Sequence, residues 1–352
     1  MLLSGEKMMM QSNLNIILSG LIFHLFLTNT FLLANPIPDT GQKQSYTDTY
    51  GEDSDYLMNP PEFTKMDASG FALPENSETW TCVKDTVTGL LWEIKTDDDS
   101  NTDKDNMLNW TSANAHIQWL NANQFGGYSD WRLPTVLELQ TIVQYEAGDS
   151  FFRDFFPHTM LSFYWTQNSS AITESIAWAV NFDNGTTWYH FKNSPHYVRG
   201  VRGHLSDIKD MFFPFDERTV SDVRTGLMWQ RNSSDNAISW DETLTYCQNI
   251  SLSGFTDWRL PNKKELISIM DYAMMNPSLP ESVFTDTQMS AYWTSTVDPS
   301  STAKHAWCIY MDMGYDGDSQ NGNANARCVR GGQHVDENHI NIWHPSFSMK
   351  SS

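Results

Sequence analysis

The sequence predicts an α+β fold built twice over, as two tandem domains. Three observations carry this: an ordered series of motifs that occurs twice, helix-like apolar spacing early in each copy, and strand-like runs that close each copy. A chain of 352 residues has room for two domains of ordinary size.

The repeat is explicit. Asp130-Trp131-Arg132-Leu133-Pro134 recurs as Asp257-Trp258-Arg259-Leu260-Pro261. In the same order, Thr88-Gly89-Leu90-Leu91-Trp92 matches Thr225-Gly226-Leu227-Met228-Trp229, Trp110 matches Trp240, and Glu138-Leu139 matches Glu265-Leu266. Tyr164-Trp165-Thr166 matches Tyr292-Trp293-Thr294, Ala177-Trp178 matches Ala306-Trp307, and Val198-Arg199-Gly200 is aligned with Val329-Arg330-Gly331. The spacing between copies drifts by only ~10 residues, which loop insertions explain; two copies are too few for a solenoid.

From the N-terminus, Lys7 precedes an apolar run from Ile16 to Leu33, with Ala34 just before a cleavage point. Residues 1–34 therefore read as a signal peptide. An uncleaved anchor is the alternative, because ~18 apolar residues nearly span a bilayer. Residues 35–78 are polar and aperiodic and read as a linker or a loosely docked arm. The first domain covers 79–204, the second 216–333, and 334–352 is a tail.

Within the first domain, a Thr-Gly turn leads to a short strand at 90–94. Trp110, Ala113, Ile117 and Leu120 share one face of a helix over 110–122, which Gly126-Gly127 ends. Pro134 is expected in the first turn of a second helix. Strands follow at 163–166, 176–182, 188–191 and 197–201, with Asn184-Gly185 as a hairpin turn. The second domain repeats this, with helices near 240–250 and 261–273.

Acidic residues number 43 against 22 Lys and Arg, a net charge of −21. That balance works against nucleic acid or an anionic membrane as the main partner. It raises interest in Ca²⁺, which prefers carboxylate oxygens. Four cysteines behind an export signal suggest disulfides, and none has zinc-site spacing.

The motif series closely resembles the Lcl C-terminal domain family, named after a collagen-like bacterial surface protein. Its pattern is Thr-Gly-Leu-x-Trp, then Asp-Trp-Arg-Leu-Pro with Glu-Leu, a Tyr-Trp strand, and a closing Val-Arg-Gly. The resemblance implies two tandem C-type-lectin-like domains, each of two helices plus an antiparallel sheet, with kinship to the formylglycine-generating-enzyme core. It also implies export, and adhesion to sulfated glycosaminoglycans for the founding member. A chain of this charge would need a local basic patch for a polyanion.

In such a fold the first helix and the last strand lie side by side, which pairs Cys247 with Cys328. Ile117 and Tyr197 are taken as the matching apolar pair in the first domain. Cys82 and Cys308 remain, and a bridge between the domains is one option for them. Asp312, Asp316 and Asp318 are a candidate Ca²⁺ loop. The acidic stretch from Asp97 to Asp105 reads as either a cation loop or, more simply, a solvated one.

Trp131, Arg132, Glu138 and their counterparts Trp258, Arg259 and Glu265 read as structural, each arginine pairing with its glutamate. The aromatics that do not repeat, Trp188, Tyr189, Tyr310 and Tyr315, are better candidates for a ligand face, because variable loops carry binding residues. Arg199 and Arg330 are candidate anion contacts, with internal charge neutralisation as the other reading.

No catalytic motif repeats. The expectation is an exported, non-enzymatic binding or adhesion module in the periplasm, at the cell surface or secreted. Its partner would be an extracellular glycan, the sulfated class included, or a surface protein. It would hold no cofactor unless an acidic loop takes Ca²⁺. The alternatives are a formylglycine-generating-enzyme-like enzyme and a purely structural surface protein.

Overall fold

The computed structural model describes residues 36–146, 151–205, 212–298, 305–319 and 322–332. The expected signal peptide and the tail beyond residue 332 lie outside the described residues, as does the side chain of Asp318. The fold is α+β; the described residues form five α-helices and four antiparallel sheets arranged as two repeats.

The first unit comprises β1 (Phe63–Met66), β2 (Cys82–Asp85), β3 (Leu91–Glu93), helix α1 (Trp110–Ala122), α2 (Val136–Thr141), α3 (Phe151–Phe155), β4 (Phe163–Ser169), β5 (Ile176–Asn181), β6 (Thr187–Phe191) and β7 (Val201–Arg202). The second has β8 (Phe212–Pro214), β9 (Thr219–Asp222), β10 (Leu227–Gln230), α4 (Trp240–Asn249), α5 (Lys263–Ser268), β11 (Ala291–Val297), β12 (Ala306–Tyr310), β13 (Asp316–Ser319) and β14 (Val329–Gly331). Each unit carries a four-stranded sheet, β1-β2-β3-β7 or β8-β9-β10-β14, and a three-stranded one, β4-β5-β6 or β11-β12-β13. Because β1 and β8 belong to these sheets, the units begin at Phe63 and Phe212, upstream of the boundaries at 79 and 216 read from the motifs.

The repeated motifs are the joints of this scaffold. The Asn109 side chain caps α1 by accepting from Ser112 N, which removes one orphan donor of the first turn. Thr135 caps α2, so Pro134 precedes the helix instead of lying in its first turn. Glu138 closes a capping box with Thr135, and Glu265 does the same with Asn262. The same carboxylates take bidentate bonds from Arg132 (2.7 and 2.6 Å) and Arg259 (2.7 and 2.7 Å). Arg132 N also donates to Val201 O and Arg259 N to Val329 O, both at 2.9 Å. One Arg–Glu pair thus fixes strand, turn and helix together.

Strand register corrects one sequence alignment. Trp92 faces Val201, and its counterpart Trp229 faces Val329. The closing motif of the first unit is therefore Val201-Arg202-Gly203. Arg199 corresponds to Arg327, Arg202 to Arg330, and Gly200, not Tyr197, to Cys328. The Cys247–Cys328 disulfide is present, tying α4 to the residue that leads into β14. In the first unit, Ile117 and Leu120 fill that volume: a Cβ at Gly200 would lie 2.7 Å from Leu120 Cδ1 and 3.4 Å from Ile117 Cδ1. Cys82 and Cys308 are both buried and not disulfide-bonded, so the bridge between the units considered for them is not formed.

The arm, read from its polarity as a linker or a loosely docked segment, is packed against both units. Gln42 donates to Tyr145 O (3.3 Å) and Val297 O (2.8 Å) and accepts from Val297 N (2.9 Å), so it touches both units. The buried Lys264 amine donates to Asp39 O at 2.8 Å and to Thr141 O at 3.0 Å. Asp53 accepts from Thr40 Oγ1 (2.7 Å) and Thr296 Oγ1 (2.5 Å). The polar residues Asp39, Thr40, Gln42 and Asp53 are buried, with hydrogen-bond partners within the arm and on both units.

The units share a core. Helices α2 and α5 pack on each other, and one apolar cluster includes Leu139, Tyr145 and Trp178 from the first unit with Leu266, Tyr272 and Trp307 from the second.

Candidate functional site

The edge strands β6 and β13 meet where the units join. Asp316 makes the joint: its Oδ1 accepts from Thr187 N at 2.7 Å, and its Oδ2 lies 3.1 Å from Lys263 Nζ. That amine also donates to Gly185 O at 2.9 Å and sits 3.3 Å from the centre of the Trp307 ring. Burial lowers the Lys263 pKa and raises that of Asp316, each shift opposed by the other's charge. Asp316 is thus occupied by an internal ion pair. The proposed Asp312, Asp316, Asp318 cation set loses its central member, because the carboxylate points into the inter-unit core.

This joint brings four aromatics without counterparts in the other unit, Trp188, Tyr189, Tyr310 and Tyr315, into one group. Trp188 and Tyr189 stack with ring centres 5.2 Å apart and planes 17° apart. Tyr310 and Tyr315 stack at 4.7 Å and 26°. The two pairs meet across the unit boundary, Trp188 against Tyr315 at 4.8 Å and 61°. All four side chains are half-buried. The result is a corner of two stacked pairs, one pair from each unit. Aromatic pairs contribute about 0.5–1.5 kcal/mol beyond area burial, so the corner is held in shape before any ligand arrives.

Local sequence explains the corner. Gly314, at φ +82°, closes the β12–β13 turn and donates its N–H to Tyr310 O, while Tyr310 N donates to Tyr315 O. Gly317 has no side chain, and a Cβ there would stand 3.3 Å from Tyr310 Cε2, so the tyrosine ring lies close over the strand. Position 317 corresponds to Trp188 in the first unit, and Tyr310 to Asn181. Each unit therefore offers rings at positions where the other has none. The Cys308 sulfur and burial raise the Tyr310 pKa; burial, then the Asp312 carboxylate, raise that of Tyr315. Both phenols stay neutral at physiological pH.

The chain matches the model of the Lcl C-terminal domain at residues 81–202 and 218–330. The chain belongs to the Lcl C-terminal domain family, in two copies. No curated protein matches it. The Lcl C-terminal domain copies contain all four rings, whereas the arm lies outside both.

The two arginines expected to contact anions are elsewhere and occupied. Arg199 is buried between the Phe156 and Tyr164 rings and donates to Glu93 O (3.2 Å) and Thr159 Oγ1 (2.7 Å). Arg330 pairs with Asp257 at 2.7 and 2.9 Å and lies over Phe255, as Arg202 pairs with Asp130 over Tyr128. Both are part of the scaffold, since the closing strand runs through the interior of each unit.

The acidic stretch near residue 100 is bound to itself. Asp103 accepts from the N–H groups of Asp98, Asp99 and Asp105, each at 2.8 Å, and Lys104 pairs with Asp97 and Asp105. Among the described residues no group of three or more candidate metal ligands occurs. Sequence reasoning missed a cleft of about 490 Å³ beside the arm, walled by Tyr56, Pro60 and Pro61. Ser54 Oγ and Gln144 Nε2 line it without a protein partner. The arm's lack of periodicity concealed it.

Proposed function

We propose that this protein is an exported carbohydrate-binding module whose ligand rests on the aromatic corner formed by Trp188, Tyr189, Tyr310 and Tyr315. The observation that carries this reading is that four aromatics absent from the repeat, two per unit, converge at one half-buried place. Tyr189 and Tyr315 also pack against the shared core, and the exposed parts of the four rings form the kind of preorganised aromatic face on which sugar rings stack. The Cys247–Cys328 disulfide supports an oxidising compartment, and hence export. Among the described residues no helix is long and apolar enough to cross a membrane. The C-type-lectin-like kinship that the motifs imply is consistent with a binding role.

The test is a glycan array probed with the full mature chain, in calcium and in chelator, alongside Trp188→Ala and Tyr315→Ala. Binding that either substitution abolishes while the fold persists supports the reading. Glycan binding unaffected by both substitutions would move the site elsewhere, and no glycan binding at all would refute the module.

A further inference from the structure

We infer that the corner takes an uncharged glycan chain, neutral or N-acetylated, laid across both units, and excludes sulfated polysaccharide; this rests on the carbohydrate reading above.

The first argument is the fate of the cations. A sulfated chain needs arginine or lysine facing it, because desolvating sulfate without a partner is costly. Here Arg199 and Arg330 are held inside the units, as described, and Arg327 is buried with donors on Gln230 O and Thr287 Oγ1. Lys263, the cation that pairs with Asp316 at the joint, is fully buried beneath it on Trp307. Among the described residues, the lysine and arginine contacts with aromatic rings fall on other rings, such as Trp80, Trp110 and Tyr128, and on none of the four in the corner.

The second argument is the sign of the charge that is present. The two hairpin turns flanking the joint carry an aspartate at the same position, Asp183 and Asp312. Asp183 is exposed, and the Asp312 carboxylate is close enough to Tyr310 and Tyr315 to raise both their pKa values. The half-buried Asp312 side chain therefore places negative charge beside the two tyrosine rings. A sulfate in that place would face like charge from this carboxylate.

The third argument is geometry. Since the stacked pairs meet at 61° and belong to different units, one sugar on each pair requires a chain that turns the corner. Neither unit alone offers both faces.

The experiment is titration of the full mature chain with chitohexaose, cellohexaose and heparin, read by tryptophan fluorescence at low and high salt. The expected result is binding of at least one uncharged oligosaccharide, insensitive to salt. Trp188→Ala and Tyr315→Ala should each weaken it at least about tenfold. Asp312→Lys should create heparin binding that salt removes. Salt-sensitive heparin binding by the unmodified chain that needs Trp188 would overturn the uncharged assignment while keeping the carbohydrate reading. Absence of binding to all three probes would overturn both.

Discussion

The Tyr145 ring of the first unit meets the Trp307 ring of the second edge-on, 6.5 Å between centres at 80°. The reciprocal contact exists as well: Tyr272 of the second unit meets Trp178 of the first at 5.1 Å and 71°. Tyr145 and Tyr272 hold equivalent positions in the repeat, as do Trp178 and Trp307. The two units therefore exchange the same contact about a pseudo-twofold axis, the arrangement of an isologous interface inside one chain.

A shared core has a thermodynamic consequence. Urea unfolding of the full chain should be a single cooperative transition. Trp307→Ala should destabilise it by about 3–5 kcal/mol, since a buried Trp is lost from contact with both units. Two independent transitions in the unmodified chain would show that the reciprocal contacts do not couple the units.

The disulfide gives a second, independent measurement. Cys247 and Cys328 are 81 residues apart, so the bond constrains a long loop in the unfolded chain. Reduction should cost about 2–4 kcal/mol, a range typical of such links. Titration of the denatured, unreduced chain with a thiol reagent should find two reactive thiols, those of Cys82 and Cys308, and four after reduction. A count of zero before reduction would place a second bridge that the structure does not contain.

The repeated Arg–Glu pairs differ in solvent access, and that predicts an order. The Arg259 side chain is 3% exposed and that of Arg132 is 24% exposed, while both partner glutamates are buried. Arg259→Ala strands the Glu265 carboxylate away from water and should cost about 3–5 kcal/mol. Arg132→Ala should cost less, because water can reach the vacated space beside Glu138. Paired urea titrations measure both, and the reverse order would mean that burial does not set the cost.

Much of each unit was legible because its elements obey simple periods. Helix α1 spans the residues that Trp110, Ala113, Ile117 and Leu120 marked out, and the hairpin turns at Gly185 where Asn-Gly signalled it. The register of the last strand was not legible. Val-Arg-Gly occurs twice in succession in the first unit, at 198–200 and 201–203, and only pairing with Trp92 decides between them. That slip of three residues also gave Cys328 the wrong counterpart and made Arg199 look like a surface cation. The arm hid for the opposite reason. Its buried groups are polar, so hydropathy marked it as solvated although Gln42 bonds Tyr145 and Val297, Asp53 bonds Thr40 and Thr296, and Asp39 O accepts from Lys264. The aromatic corner depends on how two units dock, and no local pattern within one unit encodes that.

The arm supplies the last prediction. Burial, and then the neighbouring Asp39 charge, raise the Asp53 pKa to about 7, against the lowering effect of its bonds from Thr296 and Thr40. Glu265 adds to the rise, whereas Lys264 and Arg259 lie near enough to feel the charge in return. The folded state therefore holds this proton more tightly than the unfolded chain does. The resulting stabilisation is fully present below the ordinary aspartate range near 3.8 and is lost as pH rises through about 7. Above that, the ionised carboxylate is an unfavourable buried charge. Asp53→Asn should remove this dependence: the variant should gain stability relative to the unmodified chain at pH 8 and lose that advantage at pH 4. Urea titrations at the two pH values measure the difference. An equal effect of the substitution at both would mean that Asp53 does not change protonation within that window, and that the arm is held by its neutral hydrogen bonds alone.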